Sequence, residues 1–403
     1  MKKDSLAVAC IHQYYKPYYN DKDAIQVPVV LSRLLDLKCK YYTRYMIGLP
    51  QNAKNCELFV VGPTHSKANL KRIESNLETE LTFSTVWYAF CAFRAGLRSN
   101  ILIIYHLNAR TSIAIAVYKL TNYLKFRKSF VYIKMDLGVL EAQKLLKRGE
   151  TGSALIGRIK HLIMICGARY IADAISAESS ETIRLFNQSR CGLEAKMRLV
   201  CNCPSDSFFD NHLINETNVV RKKQIIVVGR MGVHQKATDI VLHAFAEFHR
   251  KFCDWKLLLV GPSNAEFFKM LHSQDKLISS GAISYAGVTS DKADLMRHYK
   301  ESAIFLFPSR YEGASIALVE ACFFGCVPVC TPVGNAKDVL GEYYNKLTVP
   351  IDNSTAVAAK LCELAEGQKE LRECSVYLAS HAAKFRWNIQ LQSLAEEIQE
   401  SHN

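Results

Sequence analysis

The sequence has no apolar run that approaches the roughly 18 residues needed to span a membrane as a helix. Its first apolar run, from Leu6 to Ile11, follows two lysines and so imitates the start of a signal peptide. The run is very short, however, and no A-x-A-like cleavage site follows it. We therefore expect a buried first strand and a cytoplasmic protein, with the inner face of the cell membrane as a candidate location.

The sequence also lacks the cysteine spacing of a disulfide framework or a zinc site, although it contains 14 cysteines. Cys201 and Cys203 form the closest pair, and no second C-x-x-C or H-x-H partner accompanies them. Cys322, Cys326 and Cys330 lie in apolar sequence. We expect reduced, buried thiols and no metal, which fits a reducing compartment.

Low-complexity tracts and short repeats are absent as well, which is typical of an ordinary globular protein. With 403 residues, 49% of them hydrophobic and 22% charged, it is long enough for two domains with full cores.

Short, nearly continuous apolar runs alternate with helix-length segments in both halves of the chain. Such runs are typical of strands buried on both faces, and repeated β-α order favours parallel, doubly wound sheets. We predict an α/β protein with two Rossmann-like domains that face each other across a cleft. The predicted strands cover 6–11, 56–63, 101–108, 129–138, 170–179, 224–230, 255–262, 283–288, 303–309 and 326–334.

The polar stretch 204–223 has no clear periodicity and is interpreted as the connection between the domains. We expect an N-terminal domain over 1–205 and a C-terminal domain over 206–385. Residues 386–403 have the pattern of an amphipathic helix, which we expect to pack back on the N-terminal domain.

The net charge of +13 lies entirely in the first half of the chain. Residues 1–210 contain 30 lysines and arginines against 17 acidic residues, whereas residues 211–403 contain 21 of each. This asymmetry indicates an acidic partner for the first half, such as an anionic membrane, a nucleic acid or a phosphorylated substrate, unless it is only a solvated basic face. No nucleic-acid-binding module is recognisable, so we expect no nucleic acid.

Ligands of doubly wound sheets bind beyond the carboxyl ends of the strands, so polar residues at these ends are the candidates for a binding site. Gly229 and Arg230 end one predicted strand, and Lys236 precedes the next helix. A guanidinium and an ammonium in such a loop suit a diphosphate. The pattern is neither G-x-x-x-x-G-K-[ST] nor G-x-G-x-x-G, and two surface cations would look the same.

A second group of polar residues lies in PSRYEGASIALVEACFFGCVPV, residues 308–329. Glu312 precedes a predicted helix that starts near Gly313, Ala314 and Ser315, where free N–H groups favour an anion. Glu320 lies within that apolar helix, and a carboxylate there must be solvated, paired or bound to hydroxyls. Two neighbouring ribose hydroxyls would satisfy it.

The second half resembles the nucleotide-sugar domain of retaining GT-B glycosyltransferases, in particular those of family 4. The resemblance covers about 224–340 and rests on Gly229-Arg230 with Lys236, VGP at 260–262, YAGV at 285–288 and the E-x7-E signature of Glu312 and Glu320. RLVCNCPSDSFF, 198–209, is similar to the family's interdomain crossover, with Cys203 in place of the usual glycine.

This resemblance implies roles for the matched residues. Arg230 and Lys236 would hold the donor diphosphate and stabilise it as the leaving group, so that no metal and no further cofactor is required. Glu312 would contact the hydroxyls of the donor sugar, and Glu320 the ribose. The remaining donor-binding positions are Gly229, Val288 and the backbone of Gly313, Ala314 and Ser315. Because family members retain configuration without a settled protein nucleophile, Glu312 is not assigned as one.

The first half departs from the family, whose first loop usually has adjacent glycines. The loop here is HQYYKPYYNDKDA, in which Lys16, Tyr14 and Tyr15 are candidate replacements. The family often has a histidine at a later strand end, where this chain has Met135 and Asp136. Asp136 is a candidate contact to donor or acceptor, or a structural cap. His106 is a second strand-end candidate, or a core or loop histidine.

The resemblance implies a glycosyltransferase that moves a sugar from a UDP- or GDP-linked donor to a glycan or polyprenyl-diphosphate-linked acceptor. We expect a role in surface polysaccharide assembly, with acceptor binding and peripheral membrane contact by the basic first half. The alternative is a catalytically silent nucleotide-sugar-binding protein of the same fold. An epimerase or a phosphorylase of this fold is a further possibility.

Overall fold

The computed structural model describes residues 7–15, 22–46, 56–60, 77–151, 155–205, 208–209, 221–289 and 291–402. The chain divides into two compact units. The first unit combines Met1–Asp206 with Arg386–Asn403, and the second unit is Ser207–Phe385.

The first unit contains a seven-stranded parallel sheet with the strand order β3-β2-β1-β4-β5-β6-β7. Strands β4 and β5 are buried along their whole length, as expected for a sheet covered on both faces. The elements, in chain order, are β1 (Ala7–Tyr15), α1 (Asp23–Leu34), β2 (Lys38–Met46), β3 (Cys56–Val60), α2 (Leu77–Arg98), β4 (Ile101–Tyr105), α3 (Ala109–Tyr123), β5 (Phe130–Lys134), α4 (Val139–Thr151), α5 (Leu155–Cys166), β6 (Ala174–Ala177), α6 (Ser180–Ser189) and β7 (Met197–Leu199).

The second unit contains a five-stranded parallel sheet with the order β10-β9-β8-β11-β12. Its elements are β8 (Lys222–Val228), α7 (Thr238–His249), β9 (Lys256–Val260), α8 (Ala265–His272), α9 (Asp275–Ser279), β10 (Ile283–Gly287), α10 (Lys292–Glu301), β11 (Ser302–Phe307), α11 (Ile316–Phe323), β12 (Val327–Cys330), α12 (Ala336–Leu340), α13 (Tyr344–Leu347), α14 (Ser354–Glu366) and α15 (Gln368–Ala382). The strand order reverses between β8 and β11, which makes this pair the topological switch point.

The end of the chain belongs to the first unit. It forms α16 (Trp387–Gln390) and α17 (Gln392–His402), two helices where the sequence suggested one. Arg198 donates to both carboxylate oxygens of Glu397, and Gln390 accepts a hydrogen bond from the backbone of Cys201 at 3.0 Å. These contacts attach the last two helices to β7 and to the segment that follows it.

The fold class predicted from the sequence is confirmed, because both units are parallel α/β sheets with helices between the strands. Strand β2 was missed, and the predicted strand over 170–179 shrinks to β6 because a π-helical turn occupies Gly167–Ile171. In the predicted connection 204–223, Lys222 and Lys223 already belong to β8. No helix in the described part of the chain is long and apolar enough to cross a membrane.

Candidate functional site

The loops that follow β8 and β11 meet at the switch point of the second sheet. The two strands are hydrogen-bonded neighbours, with Ile225 opposite Ile304 and Ile226 opposite Phe305. Because parallel strands end at the same edge of a sheet, residues 229–237 and 308–315 lie side by side. The polar residues identified in the second half of the sequence lie in these two loops, except Glu320, which lies in α11.

Lys236 and Glu312 form an ion pair between the two loops. The Nζ atom of Lys236 lies 2.6 Å from Oε1 of Glu312, and these side chains are 18% and 8% exposed. The ammonium also lies 5.0 Å from the ring centre of Phe307, at the end of β11. The contact with Glu312 occupies one of the three N–H donors of the lysine. The pair therefore places a largely buried positive charge at the carboxyl edge of the second sheet, beside its switch point.

Gln235 connects Arg230 to this ion pair. Its side-chain amide donates to Oε2 of Glu312 at 3.2 Å and to the carbonyl of Tyr311 at 3.1 Å, while its Oε1 accepts from Arg230 at 2.7 Å. Both oxygens of Glu312 are thus engaged within the protein. Gln235 was not predicted from the sequence, although its place beside Lys236 in the same loop was a usable signal.

Arg310 holds the loop after β11 against the loop after β8. Its guanidinium forms a two-point contact with Asp239, at 2.7 and 3.2 Å, and donates to the carbonyl of His234 at 2.8 Å. Burial alone would raise the pKa of Asp239, but the hydrogen bonds and charge of Arg310 lower it. The backbone of Arg310 also donates to the carbonyl of Gln235 at 2.9 Å. Arg310 therefore fixes the separation of Lys236 and Glu312.

Gly313, Ala314 and Ser315 form the turn into α11, and this turn packs tightly against the loop after β12. Ser315 caps the helix, since its Oγ accepts from the backbone of Leu318. The N–H of Ser315 donates to Oδ1 of buried Asn335 at 2.9 Å, so it is engaged within the protein. Gly334 has φ +59°, and a Cβ atom there would lie 2.8 Å from the carbonyl oxygen of Gly313. The close approach requires glycine at 334.

Glu320 lies in the middle of α11 and is half-buried. Its Oε2 accepts a hydrogen bond from the buried hydroxyl of Tyr299 at 3.1 Å. Burial, followed by the neighbouring carboxylate of Glu320, raises the pKa of Tyr299 well above its usual value, so the phenol keeps its proton. The tyrosine orients the carboxylate and removes part of the cost of burying it.

Gly229 and Val288 lie at the ends of β8 and β10. Gly261, at the end of β9 between them, donates its N–H to the carbonyl of Gly287 at 2.7 Å. It has φ +131°, and a Cβ atom there would overlap the carbonyl oxygen of Gly229. Val288 is 68% exposed. The glycine at 261 thus allows three strand ends to converge next to the ion pair.

In the first unit, His106 and Asp136 line one cavity with a volume of about 300 Å³. They lie just beyond β4 and β5, at the carboxyl edge of the sheet. His106 adopts a left-handed backbone conformation, φ +62°, and its N–H donates to the carbonyl of Lys134. The other lining residues are His12, Lys22, Asp23, Ala24 and Tyr105. Lys16, the third candidate, lies outside the described residues.

A buried cluster of charges lies beside this cavity. Lys134 is fully buried, with its Nζ 3.3 Å from Oε1 of Glu178 and 3.8 Å from Asp23. Burial disfavours the charge of Lys134, but Glu178 and Asp23 raise its pKa. Burial raises the pKa of Glu178 to about 8, against the effect of Lys134 and with further contributions from Asp136 and Asp23. The amide of Asn202 also donates to Glu178.

Together the sheets and their order define an α/β protein with the GT-B fold, which solved glycosyltransferase structures share. Residues 210–379 match the model of the family described as "Glycosyl transferases group 1". The glycogen synthase of Desulfitobacterium hafniense is 28% identical over 130 residues, which are 32% of this chain and 27% of that protein.

Two solved structures resemble nearly the whole chain. The Anabaena protein HepE in complex with UDP has a TM-score of 0.66 and 15% identity, and the match covers 98% of this chain and all of HepE. Sucrose-phosphate synthase from Thermosynechococcus elongatus has a TM-score of 0.67 and 14% identity, with 98% of each chain covered. HepE has also been solved with UDP-glucose. In contrast, the chain spans about a quarter of the length of the curated relatives that it matches.

Proposed function

We propose that the protein is a retaining glycosyltransferase of family 4 type that uses a UDP- or GDP-linked sugar. The observation that carries the proposal is the cluster of Arg230, Gln235, Lys236 and Glu312 at the switch point of the second sheet. The family match over 210–379 supports it, as do the complexes of HepE with UDP and UDP-glucose.

In this proposal Lys236 and Arg230 contact the donor diphosphate. Cleavage of the bond between sugar and phosphate builds negative charge on the diphosphate, and fixed cations stabilise that charge without reorganising. Lys236 is fixed by Glu312, and Arg230 is tied to Gln235. Two positioned cations can perform the charge stabilisation that a metal ion performs elsewhere, which supports metal-independent transfer.

Glu312 acts in this proposal as a contact to the donor sugar rather than as a nucleophile. Its two oxygens already accept hydrogen bonds from Lys236 and Gln235. A carboxylate held in this way is oriented for hydroxyl recognition, and its hydrogen-bonding partners stabilise its charge and so lower its nucleophilicity. Glu320, oriented by Tyr299, takes the ribose hydroxyls, and Gly229, Val288 and the turn at Gly313 to Ser315 complete the donor site.

The first unit binds the acceptor in this proposal, with Asp136 and His106 as polar contacts. Both residues line a cavity at the carboxyl edge of the first sheet, where ligands of doubly wound sheets bind. The lining combines carboxylate, imidazole and ammonium groups, which suits the alternating donors and acceptors of a sugar. We propose a glycan or a lipid-linked sugar of surface polysaccharide assembly as the acceptor.

Peripheral contact with an anionic membrane is also part of the proposal. Residues 81–135 contain eight lysines and arginines and no acidic residue. The helices of this stretch, the turn after α3, and α5 expose apolar side chains, among them Phe126 in that turn at 98%. Lys125 links α3 to α2 through the carbonyl of Leu97. The exposed apolar residues are Val86, Phe90, Phe93, Leu97, Leu120, Tyr123, Leu124, Phe126, Ile159, Leu162 and Ile163.

Co-sedimentation with vesicles tests the membrane contact. We expect binding to vesicles of phosphatidylglycerol and phosphatidylcholine, with little binding to phosphatidylcholine alone, because each cation contributes about 1 kcal/mol near an anionic surface. The double variant Tyr123→Ser/Phe126→Ser should lose most of this binding. Val376→Ser removes an apolar side chain that is 64% exposed in the second unit and serves as the matched control. Equal binding of all three proteins would contradict the proposal.

Donor turnover tests the enzymatic function itself. The purified protein is incubated with UDP-glucose, GDP-mannose and related donors, with and without a pool of sugar acceptors, and released UDP or GDP is measured. We expect release with one donor class and a loss of at least about 100-fold in Glu312→Ala, because that change removes an oriented contact to the reacting sugar. Binding of a nucleotide sugar without any turnover would favour the silent binding protein instead. Release of free sugar plus UDP without an acceptor would favour the epimerase, and phosphate dependence the phosphorylase.

A further inference from the structure

Two cysteine thiols contact each other at the edge of the first sheet. Cys39 on β2 and Cys56 on β3 are register partners, and their Sγ atoms lie 3.0 Å apart. Among the strands that the structure describes, β3 is the outermost on its side of the sheet, and β2 is its hydrogen-bonded neighbour. Nothing in the proposed donor or acceptor chemistry uses this pair.

The backbone geometry at this position is compatible with a disulfide. Neighbouring strands lie about 4.8 Å apart, and register partners are therefore inside the window of about 4.4–6.8 Å that Cα atoms of a disulfide occupy. The sulfur atoms need to approach by only about 1 Å to reach a bond length of about 2.05 Å. Both thiols already point toward each other, since Cys56 donates its S–H to the sulfur of Cys39.

The two thiols differ in their access to solvent. Cys39 is fully buried, whereas Cys56 is partly exposed. The hydrogen bond with Cys56, followed by burial, raises the pKa of Cys39 well above its usual value. Because Cys56 is the more exposed thiol, a dissolved reagent reaches it first. The thiolate is the attacking form, and the raised pKa of Cys39 disfavours its thiolate, so Cys39 reacts second.

We propose that Cys39 and Cys56 form a thiol–disulfide exchange site for small disulfides of the glutathione class. The Cys56 thiolate attacks one sulfur of the reagent, so that a mixed disulfide forms and one thiolate leaves. Cys39 loses its proton to solvent and attacks the sulfur of Cys56, and the second thiolate leaves. Two cysteine thiols are oxidised to one disulfide, and one disulfide reagent is reduced to two thiols.

The bond would attach the outermost strand to the sheet covalently. At present β3 is held to β2 by the ladder between them and by the stacking of Phe59 on Tyr42, with ring centres 5.1 Å apart. Arg98 also lies over the ring of Phe59. Oxidation of the pair therefore attaches β3 covalently to β2, and reduction releases it. The redox potential of the surroundings thus controls how firmly β3 is held in the first unit.

Peptide mapping of the full chain after incubation with oxidised glutathione tests the proposal. Free thiols are alkylated, the protein is digested with pepsin, and linked peptides are identified by mass spectrometry. We expect a Cys39–Cys56 linkage that dithiothreitol reverses. Cys39→Ser should accumulate glutathione on Cys56 in at least a tenfold excess over glutathione on Cys39 in Cys56→Ser. The buried thiols Cys322 and Cys330 are the internal control and should be alkylated only after denaturation.

Three results would overturn the proposal. The first is no Cys39–Cys56 linkage under conditions that place glutathione on exposed Cys253. The second is a linkage of Cys39 to Cys10 instead. The third is equal glutathione incorporation at Cys39 and Cys56 in the two single variants, because it would show that Cys56 is not the thiol that reacts first.

Discussion

The ammonium of Lys236 lies 2.6 Å from the carboxylate of Glu312, and each residue comes from a different loop at the switch point of the second sheet. In the proposed function, this pair holds a cation for the donor diphosphate and a carboxylate for the donor sugar. Removal of one partner would leave the other as a poorly solvated charge, which costs stability. Substitution of either residue should therefore lower the stability of the protein as well as alter the site.

Lys236→Met should weaken the binding of UDP or GDP by about 10- to 100-fold, because a positioned charge-assisted contact of about 1.5–3 kcal/mol is lost. Calorimetric titration of wild type and variant measures this directly. Lys251→Met is the matched control, because Lys251 is an exposed lysine of the same unit that pairs with Glu366. Equal losses in the two variants would mean that net charge, rather than Lys236, controls binding.

Glu320→Gln should weaken UDP binding by roughly tenfold if the carboxylate accepts from the ribose hydroxyls, since hydrogen bonds to a charged group contribute about 1.5–3 kcal/mol. The same substitution should have little effect on 2′,3′-dideoxy-UDP, which lacks those hydroxyls. Titration of both proteins with both nucleotides completes the comparison. If the two nucleotides lose affinity equally, Glu320 acts on the helix and not on the ribose.

Gly334→Ala should both destabilise the protein and weaken donor binding. The residue has φ +59°, and the new methyl group would collide with the carbonyl of Gly313 and the Cβ of Glu312. Gly281→Ala is the matched control, because Gly281 has φ +73° but open space around it. Left-handed strain alone costs about 1–2 kcal/mol. Thermal unfolding should show the larger loss for Gly334→Ala, and only that variant should lose UDP affinity.

The fold class could be predicted from the sequence, because apolar runs that alternate with helix-length segments indicate parallel α/β sheets. It also placed Lys236, Glu312 and Glu320 on the elements where the structure has them. Strand β2 was missed because Lys38, Lys40 and Arg44 interrupt its apolar residues. The run predicted as a strand over 129–138 gave no sign that Lys134 is buried with Glu178.

Contacts between distant loops were not accessible from the sequence. Gln235 and Arg310 are ordinary polar residues until the loops after β8 and β11 are placed side by side, more than 70 positions apart in the chain. Asn335 likewise gains its role only because the loop after β12 reaches the start of α11. A local sequence pattern reveals a residue only when its type is unexpected at that position, such as a carboxylate in an apolar helix. Gln235, Arg310 and Asn335 instead support the site through partners that are distant in the sequence.

The buried carboxyl of Glu178 predicts a specific pH dependence of stability. Its pKa in the folded protein is raised to about 8, against about 4.3 in an unfolded chain. Between about pH 4.3 and pH 8, the carboxyl of Glu178 therefore keeps its proton in the folded state but has lost it in the unfolded state. This contribution to stability is complete below about pH 4.3 and is lost as the pH rises through 8.

The unfolding temperature of the wild type should consequently fall more steeply between pH 6 and 8.5 than that of Glu178→Gln, which has no proton to lose. The charged groups that face Glu178 are Lys134, Asp136 and Asp23, and they are unchanged in the variant. Glu366→Gln, which removes an exposed carboxylate, is the control and should follow the wild type. Parallel curves for Glu178→Gln and wild type would contradict the assignment of the proton to Glu178.

The proposed function depends most directly on whether the second unit recognises a nucleoside diphosphate through its two phosphates. Calorimetric titration of the wild type with UDP, GDP, uridine and guanosine, repeated with Lys236→Met, measures this. We predict that one diphosphate binds at least about 100-fold more tightly than its nucleoside, and that Lys236→Met removes most of that difference. Equal affinity for diphosphate and nucleoside, or a difference that survives in Lys236→Met, would contradict the account.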